Sequence, residues 1–468
     1  MNFYTSFIGF MNDVLYKPYV VPLILLAAGL FFTIGSKGIQ FRCFKETFRV
    51  VKEKPADGGT SSFGALMVST ASRVGTGNII GVSTALCTGG PGAIFWLWIT
   101  ALLGGASAYV ESALAQIYKR RDEDGSSYGG PSYYMETALG QRWLGVVFAV
   151  IIILTYAVGY NMLASYNLQS CFGAFSFYSS STPLIIGIIL AVLFGVIIFG
   201  GLKRLTKVTE VLVPVMGVLY IAVALLVMIL NVGKLGAMFG MIFRDAFNFR
   251  SIFGGFAGSC IMWGIKRGLY SNEAGMGSAP NAAATADVSH PAKQGLVQML
   301  SVFIDSLVIC TATAFLCLSS GVLPAAELSG APYVQEAVKA SMGSFGPIFI
   351  AVSLSLFAFT TLIGNYYYCE GCLRFILNRK PSKALLSGFR AAATVLVLVG
   401  AVLSAGTVWD TADMLQALMV IINIPVIVAL SKRAFVCLED YIAQRKEGKE
   451  PVYNAKACGI EEKTDFWN

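Results

Sequence analysis

Ala71-Ser72-Arg73-Val74-Gly75-Thr76-Gly77-Asn78 lies in the middle of an otherwise apolar stretch that runs from residue 62 to residue 88. A stretch of that length crosses a bilayer as a helix, yet glycines and polar residues interrupt it at its centre. Glycine weakens a helix interior by about 1 kcal/mol relative to alanine, and lipid tolerates broken helices only where protein surrounds the freed backbone groups. The stretch therefore predicts a broken transmembrane helix inside a polytopic protein.

The composition of the chain places nearly all of it in a membrane. Of its 468 residues, 56% are hydrophobic and 13% are charged, whereas soluble domains average about 25% charged residues. This composition excludes a soluble enzyme and predicts one transmembrane domain over residues 1–435, followed by a cytoplasmic tail over residues 436–468. Continuous apolar runs predict helices rather than the strands of a barrel. The eleven predicted spans are 16–36, 62–88, 91–118, 143–171, 183–200, 207–230, 250–277, 293–320, 346–376, 387–405 and 411–433.

A second interrupted span occurs five spans after the first. Residues 262–275 read Met-Trp-Gly-Ile-Lys-Arg-Gly-Leu-Tyr-Ser-Asn-Glu-Ala-Gly. Spans two to six and seven to eleven thus form two sets of five, and each set begins with its interrupted helix. Because five is odd, the second set enters the membrane from the opposite side. The pattern predicts an all-α protein with a five-plus-five inverted repeat (62–230 and 250–433) and one extra N-terminal helix, with the paired broken helices at a transporter's binding site.

The distribution of lysine and arginine predicts the orientation. The loops after the odd-numbered spans and the tail hold 28 of these 34 residues, and the opposite side holds five. By the positive-inside rule the rich side is cytoplasmic, so we expect the N-terminus outside and the C-terminus inside. The net charge of +8 then reports topology and indicates no nucleic-acid partner. The first span lacks a basic start and a cleavage site, so we interpret it as retained.

Few residues are available for metal or redox chemistry. The single histidine, His290, precedes Pro291 and suits a helix start better than a proton carrier. Cys369 and Cys372 form a lone C-x-x-C without a second pair or a nearby histidine, which favours packing over zinc binding. We expect no catalysis, no cofactor and no nucleotide.

Gly75, Thr76, Gly77 and Asn78 are the first candidate binding residues. Their spacing to Gly81 is G-x-G-x-x-x-G, which differs from a dinucleotide fingerprint. One interpretation is a small-residue packing pair. We favour an unwound segment whose N–H groups, at the start of a half helix, attract a substrate carboxylate.

A cation site is predicted where span nine passes the first break. Thr360 and Thr361 lie in mid-span, and their hydroxyls either bond the preceding turn or join main-chain carbonyls in an oxygen shell. Such a shell suits Na⁺, which is a hard cation, as oxygen-bound Ca²⁺ and Mg²⁺ are. Asn365 lies one turn after Thr361 and is expected to reach the substrate cavity. The predicted sodium ligands are Ala71, Val74, Phe357, Thr360 and Thr361.

Charged residues within spans suggest functional roles, since their burial in hydrocarbon is costly. Arg73 lies at the first break, and Glu111 and Asp305 lie in later spans. Arg73 either forms a structural ion pair with Asp305 or Glu273, or supplies a fixed charge in place of a second bound cation. The candidates for coupling or gating are Arg73, Asp305 and Glu273. Glu111 is predicted to be a packing or gating contact.

The chain resembles the alanine or glycine:cation symporter family over residues 10–435. The motifs that carry the resemblance are residues 71–79, 89–93, 129–131, 266–280 and 365–368. The resemblance implies sodium- or proton-coupled uptake of a small neutral amino acid across a prokaryotic inner membrane, and the leucine-transporter-like fold. It also implies sodium at the five ligands above and the substrate carboxylate at Thr76 and Gly77. The side-chain pocket that it implies is formed by Met262, Gly264 and Ile265.

We therefore expect a sodium:amino-acid symporter of the alanine or glycine class that works by alternating access. Proton coupling and a preference for glutamine or serine remain open, and a passive channel is the rival that would show no uphill accumulation. A membrane enzyme is disfavoured because the sequence has neither G-x-S-x-G nor H-E-x-x-H.

Overall fold

The computed structural model describes residues 2–16, 19–55, 59–248 and 259–467, and they form a helical protein. The α-helices are α1 (Asn2–Tyr16), α2 (Val20–Gly35), α3 (Ile39–Arg42), α4 (Phe44–Val51), α5 (Ser62–Arg73), α6 (Val82–Gly89), α7 (Gly92–Ile117), α8 (Pro131–Leu139), α9 (Arg142–Ile153), α10 (Asn161–Ser170), α11 (Thr182–Ile198), α12 (Leu202–Leu230), α13 (Leu235–Ala246), α14 (Cys260–Asn272), α15 (Pro280–Ala283), α16 (Pro291–Phe303), α17 (Thr311–Leu318), α18 (Ala331–Met342), α19 (Phe345–Leu377), α20 (Lys383–Val402) and α21 (Ala405–Lys446).

Tighter and wider turns join some of these helices. Three π-helices, at Gly77–Gly81, Leu154–Tyr160 and Ile304–Cys310, lie within predicted spans, and π turns are frequent at functional sites. Short 3₁₀ turns and one two-stranded antiparallel hairpin complete the described elements. They are Cys171–Ala174, Val232–Lys234, Ala326–Leu328, β1 (Arg120–Arg121) and β2 (Ser127–Tyr128).

The predicted spans match long apolar helices in most cases. Among the described residues, seven helices are long and apolar enough to cross a membrane, or eight if α1 and α2 form one bent span. α11 is shorter, with 17 residues, and two predicted spans are broken. The start of the seventh predicted span, residues 250–258, lies outside the described residues. The count of eleven and the extra N-terminal helix therefore stay predictions.

The last helix differs from its prediction. α21 continues to Lys446, thirteen residues beyond the predicted end at 433, so the charged tail predicted from residue 436 begins inside a helix. Its charges do not end the helix because Lys and Arg are good helix formers. α1 is also an addition, since no helix was predicted before residue 16.

Burial separates a central group of helices from a peripheral one. In the segment Pro291–Leu318, 72% of the apolar window is buried within the protein, whereas in α20 the figure is 22%. The exposed apolar side chains of α11, α12 and α20 suit contact with lipid, because so large an apolar surface is unfavourable in water. α5, α7, α14, α16 and α19 form the centre, where polar groups are shielded from lipid.

The two broken helices begin with the same kind of cap. Ser61 Oγ accepts from the N–H of Gly64 at the start of α5, and Ser259 Oγ accepts from the N–H of Met262 at the start of α14. α5 has 12 residues and α14 has 13, so each extends about 18–20 Å. In a hydrocarbon core of about 30 Å, both helices end near the middle of the membrane.

Two of the charges used for the orientation lie in the middle of a broken helix rather than near a loop. Lys266 and Arg267 lie within α14, although they were counted with the cytoplasmic loops. Without them the split of Lys and Arg between the two sides is 26 to 5. The asymmetry is thus large enough to support the same orientation.

His290 starts a helix, as predicted. Its Nδ1 accepts from the N–H of Ala292 at 3.2 Å at the beginning of α16. Burial lowers its pKa to about 4, so the ring is neutral at physiological pH. The hydrogen bond to Nδ1 fixes the ring as a cap.

Candidate functional site

The first helix breaks where the sequence predicts it. α5 ends at Arg73, and Val74 has φ −75° and ψ 88°, outside the helical region. The chain resumes as the π-helix Gly77–Gly81, which continues into α6. The N–H group of Gly75, predicted to be free, donates instead to Asn78 Oδ1 at 2.7 Å. The break is therefore short, and a side chain of the following turn caps it.

α19 crosses the end of α5 in close backbone contact. A Cβ atom on Gly364 would lie 2.5 Å from the backbone nitrogen of Ser72. A Cβ atom on Gly75 would lie 2.0 Å from Thr361 Oγ1. Glycine at both positions lets the two helices touch without an intervening side chain, so residues of α19 reach the break directly.

Four of the predicted sodium ligands lie on these two helices, and the fifth, Val74, lies at the break directly after α5. Ala71 is at the crossing, where its carbonyl carbon would be 3.0 Å from a Cβ on Gly364. The hydroxyl of Thr360 donates within α19, with Phe357 O at 3.0 Å. The hydroxyl of Thr361 is buried and, within the described part of the chain, has no hydrogen-bond partner. A buried oxygen without a partner costs free energy, and a cation at the break would satisfy it.

The crossing gives a direct test of packing. We expect Gly364→Ala to destabilise the protein by about 3 kcal/mol, because the added Cβ meets backbone atoms that cannot rotate away. Gly371→Ala on the same helix is the matched control, since a Cβ there has nothing within 4 Å. Thermal unfolding in detergent measures both variants, and equal melting temperatures would contradict the contact.

The predicted substrate residues after the break face α10 and α14. Thr76 Oγ1 accepts from Asn167 Nδ2 at 3.0 Å and lies 3.3 Å from the hydroxyl of Tyr270. A Cβ on Gly77 would lie 2.9 Å from the ring of Tyr270, so only glycine lets the ring lie against the main chain here. Asn167 was not predicted; its only signal was a polar residue in the fourth span.

Asp305 ties the first break to the second repeat. Asn78 Nδ2 donates to Asp305 Oδ1 at 2.6 Å, and Ser271 Oγ donates to Asp305 Oδ2 at 2.8 Å. The carboxyl group is fully buried and belongs to a π-helical segment. It therefore joins the turn after α5 to the end of α14, and its coupling role stays a prediction.

The second helix breaks later than the proposed side-chain pocket requires. Met262, Gly264 and Ile265 lie in the continuous helix α14, which ends at Asn272. A Cβ on Gly264 would lie 2.5 Å from the carbonyl oxygen of Ala93, so this glycine serves packing against α7. Nine residues of helix, about 13 Å, separate Gly264 from the break. The assignment of these three residues to the substrate pocket is therefore not supported by their placement.

Glu273 occupies the second break. It has φ 55°, a left-handed conformation that is uncommon outside glycine. Its carboxylate lies 2.7 Å from Ser72 Oγ through Oε1 and 2.7 Å from Ser278 Oγ through Oε2. Ser72 Oγ is also 2.7 Å from Asn365 Oδ1. Ser72 thus connects the second break to α5 and to α19.

Glu111 holds the main chain beyond the second break. Its Oε2 accepts from the N–H of Gly277 at 3.1 Å and from Asn423 Nδ2 at 3.0 Å. Asn423 Nδ2 also donates to the carbonyl of Gly275 at 2.9 Å. The carboxylate satisfies backbone groups that the broken helix leaves unpaired, so its role is a packing contact.

Arg73 is buried without an ion pair. It is 1% exposed, and its Nη1 donates to the carbonyl and side-chain oxygens of Gln298, both at 3.2 Å. Its Nε and Nη2 have no partner among the residues described, so the structural ion pair with Asp305 or Glu273 is not formed. It is therefore a buried positive charge at the first break whose hydrogen bonds go to a neutral residue.

A cluster on the second half of α14 closes one side of the site. Arg267 Nη2 donates to Asp413 Oδ2 at 2.8 Å and stacks at 4.2 Å over the ring of Trp409. Tyr270 packs edge-on against Trp409 and Tyr160, with centroids at 5.1 and 5.0 Å. Sequence reasoning missed Asp413 and Trp409, although an acidic residue inside the eleventh predicted span was a usable signal.

The opposite side is closed by residues 273–290, which we call the inner plug. From residue 273 to residue 284 every position is buried. Asn281 supports its own turn by donating to the carbonyl of Ser278 at 2.8 Å. The N–H of Asp287 donates to the carbonyl of Thr60 at 2.9 Å. The plug therefore attaches to the chain just before α5.

Comparison with known proteins adds independent information. The family model of the sodium:alanine symporter family matches residues 1–455. The amino-acid carrier protein AlsT of Bacillus subtilis (strain 168) is 46% identical over 97% of this chain and 96% of its own. The sodium/alanine symporter AgcS of Methanococcus maripaludis is 36% identical over 92% of this chain and 95% of its own.

A solved structure supports the fold. MhsT in complex with L-phenylalanine superposes with a TM-score of 0.54 at 15% identity, over 84% of this chain and 90% of that one. Such a likeness concerns the fold alone. The family model covers almost the whole chain, and the relatives align end to end. This chain belongs to the sodium:alanine symporter family.

Proposed function

We propose that this chain couples sodium entry to alanine uptake with the ion between α5 and α19 and the amino acid at the two breaks. The observation that carries the proposal is the buried hydroxyl of Thr361 against Gly75, which has no hydrogen-bond partner among the residues that the structure describes. The carbonyls of Ala71, Val74 and Phe357 and the hydroxyl of Thr360 supply further oxygens of the hard kind that Na⁺ prefers.

We place the substrate carboxylate at the main chain of Thr76 and Gly77. The start of the π-helix that follows favours negative charge. The ring of Tyr270 lies against Gly77 and leaves little room, which suits a small side chain. Asn167 contacts Thr76 and replaces Met262, Gly264 and Ile265 in our assignment. Asn365 contacts Ser72 at the end of α5 and stays in the assignment.

Alternating access follows from the two closures on either side of the breaks. The cluster of Arg267, Asp413 and Trp409 closes the outer side, and the inner plug closes the inner side. Outward opening requires that the Arg267–Asp413 pair separates, and inward opening requires that the plug separates from α5. Sodium and substrate each shift this equilibrium because both bind residues whose positions depend on it.

We further propose eleven spans, with the N-terminus outside and the C-terminus in the cytoplasm of a prokaryotic cell. The 26-to-5 split of Lys and Arg supports this orientation. Labelling of single cysteines introduced at each end, with a reagent that does not cross the membrane, tests it.

Uptake by proteoliposomes tests the function. With a panel of alanine, glycine, serine and glutamine, we expect alanine to accumulate uphill only with an inward sodium gradient. Uptake that equilibrates but never accumulates would support a channel instead. Uphill uptake driven by a proton gradient without sodium would contradict the assigned ion.

A further inference from the structure

The last residues of the chain form a folded unit on the protein surface. Residues 448–467, which we call the tail cap, follow the end of α21. Several of its side chains are almost fully buried although the segment is polar and has no regular helix. The buried residues are Tyr453, Ala455, Ile460, Thr464 and Trp467, with exposures of 4%, 2%, 2%, 3% and 6%.

The tail cap is bonded to the end of α7. The indole Nε1 of Trp467 donates to the carbonyl of Gln116 at 2.7 Å. The ammonium group of Lys119 lies 4.5 Å from the ring centroid of Phe466 and 4.9 Å from that of Trp467. Cation–π contacts of this kind are strongest where water is excluded, and Lys119 is 2% exposed.

The same part of α7 is bonded to the inner plug. Lys119 Nζ and Gln116 Nε2 both donate to the carbonyl of Ala286 at 3.0 Å. Three residues further along the plug, the tail cap is bonded directly, since Ser289 Oγ donates to the carbonyl of Pro451 at 2.7 Å. The tail cap therefore clamps the plug both directly and through Gln116 and Lys119.

A charged cavity of about 320 Å³ lies beside this clamp. Ser62, the first residue of α5, lines it, and so does Glu450 of the tail cap. Glu450 pairs with Lys293, and Lys293 pairs with Glu53 at 2.7 Å. The cavity thus reaches the cytoplasmic start of the broken helix, and the tail cap forms part of its wall.

From this geometry we propose that the tail cap is a latch that holds the cytoplasmic side closed. Inward opening requires the inner plug to part from α5, and every bond of the tail cap to the plug or to Gln116 and Lys119 opposes that movement. Undocking of the tail cap then sets how often the inward-open form is reached. The role of the latch in transport rests on the proposed function. The contacts of the tail cap with the plug and with α7 do not depend on it.

Amide hydrogen exchange on the full-length protein in nanodiscs tests the latch without transport. We expect Trp467→Ala to raise the exchange rate in residues 62–73 and 280–290 about tenfold. Trp467→Phe, which keeps the ring but loses the indole N–H, should have a smaller effect in the same direction. Val452→Ala is the control, since Val452 is 64% exposed in the same segment.

Two results would overturn the latch. One is faster exchange in residues 448–467 alone, which would make the tail cap a passive cover. The other is an equal rise in α12, which would show general destabilisation. In uptake assays the released latch should also raise the external sodium concentration for half-maximal transport severalfold, because fewer molecules face outward. A wild-type protein that transports nothing would refute the proposed function but leave the exchange result standing.

Discussion

Thr361→Val should weaken sodium binding by about 10- to 100-fold. The variant keeps the shape of the side chain and removes the buried oxygen that has no partner in the described structure. An interaction with a charged group is worth about 1.5–3 kcal/mol, and each 1.4 kcal/mol is a factor of ten. The sodium dependence of alanine uptake and direct sodium-binding calorimetry measure the effect.

Two variants on the same helix control this experiment. Thr361→Ser keeps the hydroxyl and should retain most of the affinity. Ser355→Ala removes a hydroxyl that already donates to the carbonyl of Ala351 at 2.7 Å, so sodium affinity should be unchanged. If Thr361→Val binds sodium like the wild type, the site between α5 and α19 is wrongly assigned.

Arg73→Gln should reduce transport at least a hundredfold or change its cation dependence. Removing the guanidinium takes the positive charge out of the first break and leaves two oxygens of Gln298 without their donor, and each buried acceptor left unpaired costs about 1–3 kcal/mol. A second bound cation would relieve that cost, and uptake would then depend more steeply on sodium concentration. Initial rates over a sodium series, with Arg73→Lys as the charge-preserving control, separate these outcomes.

The result that would count against this role is equally clear. If Arg73→Gln transports alanine with unchanged sodium stimulation and affinity, the positive charge does not substitute for a cation. Arg73 would then act only through its hydrogen bonds to Gln298.

The sequence predicts the first break well because the signal is local. Glycines and polar side chains within an apolar span are costly unless the helix opens there, and α5 ends at Arg73 as expected. Apolar length predicts the long helices for the same reason, since the bilayer sets the length of a span. Thr361 was predicted from its polar side chain in mid-span, although its position against Gly75 depends on contact between distant segments.

The second break shows where such reasoning fails. Gly264 has the same local signal as Gly75, but it packs against Ala93 on α7 and the helix continues. A glycine that permits close packing and one that permits a break are indistinguishable until the partner helix is known. Asp413 and Asn167 were missed for a related reason, because their importance comes from Arg267 and Thr76, which lie far away in sequence.

Sequence patterns did not predict how the tail packs against the rest of the protein. The sequence predicted only a cytoplasmic tail, whereas in the structure Trp467 is buried against α7. A single aromatic residue near a chain end carries no periodic pattern, so its docking depends on a surface that only the folded protein provides.

The hydrogen bonds between the two breaks bear on how much of the sodium gradient is lost without amino-acid uptake. Ser72 contacts Glu273, and Asn78 contacts Asp305, so neither half of the site reshapes independently of the other. Under the proposed function we expect a sodium ion that binds without substrate to return to the side it came from, because the substrate half of the site resists closure. We then expect little leakage of sodium when no amino acid is present, so that the membrane potential is conserved.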